Sequence, residues 1–336
     1  RNKFSLSNNH IRCLAEDQDG NIWIGTSGGL NRYNRELDRF ERFDASGAHG
    51  KSINNNHIRS LLVDSGNKVW IGTDNGINIY DPATKTFTYF QNYPDDTTSL
   101  ANNSVHTIYE DSKKQIWAGT AHGLSLLNNA KKIFTNFYHN PARSSSLSDS
   151  HITSVYEDKS NTLWVGTLTG LNRKAGPGNM FIRYKHNDND HQSISNDYVM
   201  DIAEDISGNL WLGTDRSLDK LNKDNGTVDR YLNHEQNENG LSGTSITKIL
   251  FDNTNRLWIG TRFGGLKIYD KRMYPFINYQ YDGSAANSLN HNLVSSFEED
   301  ANTNVWVATD GGGLHYFDRK SNEFTSYKDL FTNNKI

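Results

Sequence analysis

Two short stretches, RFGG from Arg262 to Gly265 and DGGG from Asp310 to Gly313, carry side chains well suited to gripping a small ligand: a guanidinium, an aromatic ring and a carboxylate. Such a set suits a sugar, with the ring under one face of the pyranose and charged groups forking onto hydroxyl or acidic substituents. Tyr198, Asp215, Arg216, His122 and His57 occupy related points in the chain and join Arg262, Phe263 and Asp310 as candidate ligand-binding residues. No carboxylate pair or His–Glu couple stands apart, so no catalytic residue is assigned. His10, His57 and His151 recur at one position, but Ser104 and Ser245 interrupt the series, which fits hydrogen bonding in a turn better than a ring of metal ligands. DQDGN at Asp17 to Asn21 resembles the start of a calcium loop without its downstream glutamate. No metal or cofactor is expected. Arg12, Arg59, His106 and Lys248 would give a central channel a mildly basic lining, suited to an acidic sugar unless acids such as Asp201 pair with them.

The elements that must position these groups come from a repeat. Tryptophan stands at 23, 70, 117, 164, 211, 258 and 306, in steps of 47 residues until a last step of 48. Each lies in a short apolar stretch such as NIWIGT, KVWIGT or NVWVAT, which reads as a strand. Six residues earlier stands an aspartate, from Asp17 to Asp300, before turn-forming residues, so its carboxylate is expected to bond its own backbone and open a hairpin turn. Twelve residues before each tryptophan an aliphatic, from Ile11 to Val294, opens an innermost strand. A glycine-rich turn, a third strand and an aromatic fourth strand follow the threonine of the GT pair. Four strands per repeat at this period predict an all-β, seven-bladed β-propeller of antiparallel blades with one tryptophan each; a sandwich is the weaker alternative. The tryptophans are expected to fill the space between neighbouring sheets, and the threonines to satisfy backbone groups. In a four-stranded blade the segment leading into the first strand and the turn between the second and third share one face of the disc. That face gathers the candidate residues. Thr261 to Leu266 and Thr309 to Leu314 are each one residue longer than the matching interval elsewhere.

Composition excludes other classes. The 336 residues carry 22% charged side chains and a net charge of −4 without a basic block, which argues against nucleic-acid binding. No stretch approaches the roughly 18 to 20 apolar residues of a spanning helix. The single Cys13 makes no internal disulfide and is expected to be buried and inert.

NNHIRCLAEDQDGNIWIGTSGGLNRY, from Asn8 to Tyr33, and SVHTIYEDSKKQIWAGTAHGL, from Ser104 to Leu124, resemble the two-component regulator propeller repeat. Departures are Ala308 and Ser217 in place of glycine, and Val63 and Phe251 where glutamate precedes the aspartate. The resemblance implies one propeller, 1–336 with repeats near 6–52, 53–99, 100–146, 147–193, 194–240, 241–288 and 289–329, belonging to the periplasmic sensor of a hybrid two-component system in carbohydrate-degrading bacteria. There a second propeller, a sandwich domain, a membrane helix and a histidine kinase would accompany it, the intact receptor would be a homodimer, and an oligosaccharide would be the ligand. LFTNNKI at Leu330 to Ile336 opens like an eighth repeat and favours a further array beyond it, over a ring that borrows strands across its junction. Two other readings stand beside this non-catalytic sensor. One is a propeller lyase or hydrolase acting on a glycan or antibiotic. The other is a structural propeller that docks or dimerises while another domain binds the ligand.

Overall fold

In the computed structural model the described residues are 4–48, 50–176, 178–231, 245–270, 273–285 and 287–327. They form seven four-stranded sheets, each built from four consecutive antiparallel strands. This is the seven-bladed propeller that the repeat predicts. The innermost strands, Ile11–Glu16, Ile58–Val63, Val105–Glu110, Ile152–Glu157, Val199–Glu204, Ile246–Phe251 and Val294–Glu299, contact one another in turn and surround a central channel. Among the described residues no helix is long and apolar enough to cross a membrane.

Blade one shows why the repeat folds this way. Its second strand, Ile22–Thr26, is buried at every residue, which explains IWIGT as an unbroken apolar run rather than an alternation. Trp23 packs on Ile58, Val69 and Tyr80 of blade two, so the tryptophan is the filler between sheets. The glycine after it allows the next blade to approach: a Cβ on Gly25 would lie 2.6 Å from Ile58 Cγ2. Asp17 does more than open its turn. One carboxylate oxygen accepts the Asp19 and Asn21 N–H groups, and the other accepts the Trp23 indole N–H at 2.8 Å. The same indole-to-aspartate bond recurs through blade six, from Trp70 to Asp64 and on to Trp258 to Asp252. Thr26 donates its hydroxyl to the Gly29 carbonyl and caps the turn, as the threonines do in every blade.

Neighbouring blades are stapled by the glutamate before the aspartate. Glu110, Glu157, Glu204, Glu299 and Glu16 each accept a backbone N–H from the first turn of the preceding blade. Val63 and Phe251 cannot. There the turn asparagines Asn67 and Asn255, both at positive φ, accept the N–H groups of Gln18 and Ile206 instead. The ring closes by packing blade seven on blade one, without strand exchange among the described residues. Trp306 joins Leu6, Ile11 and Tyr33 in one apolar cluster, and the Asn9 carbonyl accepts the N–H groups of Gly311 and Gly313. The eighth repeat start at 330–336 lies outside the described residues.

Candidate functional site

A β-bulge aims the site. In every blade the register between first and second strands slips at the start, as between Ile11 and Cys13, which leaves the second residue of the innermost strand without a cross-strand partner. A bulge turns such a side chain out of the sheet. The residues so placed are Arg12, Arg59, His106, Thr153, Met200, Thr247 and Ser295, and all seven line the channel mouth. Above them stand residues of the lead-in segments and of the turns between second and third strands, enclosing a cavity of about 710 Å³.

Of the candidates, Arg262, Phe263, Asp310, Tyr198 and His57 line this cavity together. The two lengthened turns therefore do reach one space. Their extra residue is visible in the cap, where Thr261 and Thr309 bond the carbonyl four residues on, not three. Phe263 is 75% exposed, a ring held out over the mouth. Asp215 stands behind the lining, accepting the Ser245 hydroxyl at 2.7 Å and facing the Arg262 guanidinium at 3.9 Å. Arg216 and His122 are exposed and do not line the cavity; the His122 ring lies beside Tyr138. Reading the sequence by lead-in segments and turns left Thr153, Met200, Thr247 and Ser295 out. Their signal was position alone, one residue past the first aliphatic of each innermost strand.

The mouth has two characters. Tyr198, Met200, Phe263 and Leu293, from blades five to seven, form an apolar arc; Arg12 and Arg59 make the other arc basic, and the His57, His106 and His151 rings, from blades two to four, complete it. Carboxylates hold these side chains in place. Asp310 accepts from His10 at 2.7 Å and from Arg12 at 3.0 Å, and Asp74 accepts from His57 and Arg59. Burial works to raise the Asp74 carboxyl, but the Arg59 and His57 bonds outweigh it and hold the group below the usual carboxylate range. The His106 and His151 rings lie 4.5 Å apart. His106 donates from Nδ1 to the Ile152 carbonyl, while burial and then the neighbouring His151 push its pKa down to about 4. Both rings are thus neutral hydrogen-bonding surfaces at neutral pH, since burial lowers His151 as well. Burial also raises the Tyr198 phenol and keeps its proton in place.

Deeper in the channel a second chamber of about 490 Å³ continues past the bulged residues. Lys248 pairs with Asp201 at 2.8 Å there, so it adds no unpaired cation. Glu298 faces the same chamber, and desolvation pushes its carboxyl up to about 8, against the hydrogen bond that it accepts from the Glu16 N–H. Cys13 is buried beside it, its thiol raised by desolvation. Among the described residues no group of three or more His, Cys, Asp or Glu side chains could hold a metal. The arrangement can grip a ligand with an apolar face and a hydrogen-bonding or acidic edge.

Comparison with known proteins gives the site its context. No curated protein matches the chain. An extracellular domain described as that of a hybrid two component system of B. thetaiotaomicron superposes with a TM-score of 0.79 at 25% identity, over 93% of this chain and 40% of the other. A second such domain from the same organism gives a TM-score of 0.73 at 24% identity, over 94% of this chain and 40% of that one, and shows the shared fold. So does a virginiamycin B lyase from Staphylococcus aureus, at 14% identity and a TM-score of 0.61, covering 86% and 87% of the two chains. The chain spans about 40% of the length of these two extracellular domains. The family profile described as two component regulator propeller matches residues 5–28, 52–75, 99–122, 146–169, 193–216, 240–263 and 288–311, one stretch in each blade from lead-in segment to second turn. With the repeat matched in all seven blades, the chain belongs to the two component regulator propeller family.

Proposed function

We propose that this propeller is a non-catalytic, extracytoplasmic sensor module of a hybrid two-component system, and that its channel mouth binds an oligosaccharide bearing an acidic group. The observation that carries the reading is the convergence of Arg262, Phe263, Tyr198 and Asp310 on one cavity that Arg12 and Arg59 also line. A sugar ring would lie on Phe263 and Tyr198, and its acidic substituent would reach the basic arc. The similarity to extracellular domains of hybrid two component systems supports the sensor role and the extracytoplasmic setting. In this reading 1–336 is a single propeller within a longer, homodimeric receptor, where a second propeller and a sandwich domain relay ligand binding to a histidine kinase.

Calorimetry with a panel of neutral and acidic glycan fragments tests this, using the wild type and Arg262→Ala. An acidic fragment should bind, and the variant should weaken it about tenfold or more, the loss of one charge-assisted bond. Equal affinity in the two proteins removes Arg262 from the site. Turnover of any fragment overturns the non-catalytic reading.

A further inference from the structure

On the face of the disc opposite the channel mouth, three of the seven seams between blades are sealed by two devices among the described residues. The first is an apolar side chain in the third strand that packs on the tryptophan of the preceding blade: Tyr33 on Trp306, Tyr80 on Trp23 and Phe317 on Trp258, with ring centroids 5.3 to 5.4 Å apart. The second, two residues later, is a cation that bridges the aspartate of the preceding blade and the glutamate of its own. Arg35 meets Asp300 and Glu16, Lys223 meets Asp158 and Glu204, and Arg319 meets Asp252 and Glu299. Both arginines also lie over the tryptophan, Arg35 on Trp306 and Arg319 on Trp258, each 5.7 Å from the ring centroid.

The seam between blades three and four has neither. Lys174 stands at the apolar position, pairing with Phe181 as Tyr33 pairs with Phe40, and Gly176 stands at the position of the cation. The Lys174 ammonium turns aside to the carbonyls of Gly176 and Gly178, 2.9 Å from each, and lies 5.9 Å from the Phe137 ring. The result is a cleft of about 660 Å³ reaching Trp117, Phe137, Asp111 and Glu157. Among the described residues no ion pair engages Asp111 or Glu157, although their counterparts in three other seams hold a cation.

We propose that this cleft is a binding site for a guanidinium group, taken from outside in the place that Arg35 and Arg319 fill from within. The planar cation lies over Trp117 and forks onto Asp111 and Glu157, the arrangement that the repeat itself builds at the closing seam. A free guanidino compound and an arginine side chain of a partner protein offer this same chemistry. The site is independent of the channel mouth and of any ligand held there.

Titration calorimetry of the whole chain with agmatine, n-butylammonium, and the amidated peptides Gly-Arg-Gly and Gly-Lys-Gly tests the assignment. Agmatine should bind with a Kd of about 1 mM or tighter and at least fivefold better than n-butylammonium. Glu157→Gln should weaken agmatine about tenfold, and Gly176→Arg, which supplies the cation from within as Arg35 and Arg319 do, should abolish binding. Gly-Arg-Gly binding tenfold tighter than agmatine assigns the site to a protein arginine, and equal affinity to a free guanidino compound. No heat with either guanidinium up to about 10 mM, or unchanged affinity in Gly176→Arg, overturns the proposal.

Discussion

At the scale of single residues, the same side chain can be a filler in one blade and a functional group in another. His106 is the clearest case, because its neutral form is enforced by burial and by His151. Its folded pKa of about 4 lies below the ordinary 6.5, so the unfolded chain binds the extra proton between those values. Stability contributed by the neutral ring is present above about pH 6.5 and falls as pH drops toward 4. Urea unfolding of wild type and His106→Gln across that window should show the wild type losing ground to the variant as pH falls; parallel curves would place His106 in water. The sequence showed the types of these residues but not their roles. Arg262, Phe263 and Asp310 could be found because a one-residue insertion marks their turns. Thr153 and Met200 could not, since variation at an unmarked strand position looks like ordinary substitution until the bulge is seen to aim it. Lys174 was hidden in the same way, within a GLNRK that differs from GLNRY by one letter.

At the scale of elements, the hairpins were legible because their determinants are local. The bonds of the aspartate, tryptophan and threonine in blades one to six span six residues or fewer, so spacing alone predicts the turn and the cap. Contacts between blades were not legible, because they join residues about 45 apart. The compensation of Val63 and Phe251 by Asn67 and Asn255 belongs to that class, as do the glutamate staples. The glycine of the second strand has a role of the same kind. A Cβ on Gly260 would lie 2.9 Å from Val294 Cγ1 and 3.1 Å from Val294 Cβ. Gly260→Ala should therefore destabilise the chain by about 1–3 kcal/mol, as overpacking in a rigid seam does. Chemical denaturation measures it; an unchanged midpoint would mean that the seam gives way freely. Blade seven already carries Ala308 at this position, buried in the closing cluster, so that seam has been built around the extra methyl.

For the whole molecule, a ring of seven sheets around a channel leaves a half-buried, desolvated acid within it. Glu298, raised to about 8 from an ordinary 4.5, binds a proton in the folded state that the unfolded chain has released. That contribution is complete below about pH 4.5 and is lost as pH rises through 8. Wild type should therefore lose stability relative to Glu298→Gln between those values, and identical pH profiles would place the carboxyl in open solvent. The opposing slopes of His106 and Glu298 come from the two ends of one channel.

The manner of closure has a mechanical side. Because no strand is exchanged among the described residues, blades one and seven are held together by the Trp306 cluster, the bonds to Asn9 and the pairing of His10 and Arg12 with Asp310, among other contacts. Phe4 and Tyr327, at opposite ends of the described chain, both lie on these two blades. Tension drawn across the two ends would load that one seam, while the other six stay slack. Two of the salt-bridged groups at that seam, Arg12 and Asp310, also line the channel mouth, so whatever occupies the mouth would stiffen or loosen the one joint able to yield under pull.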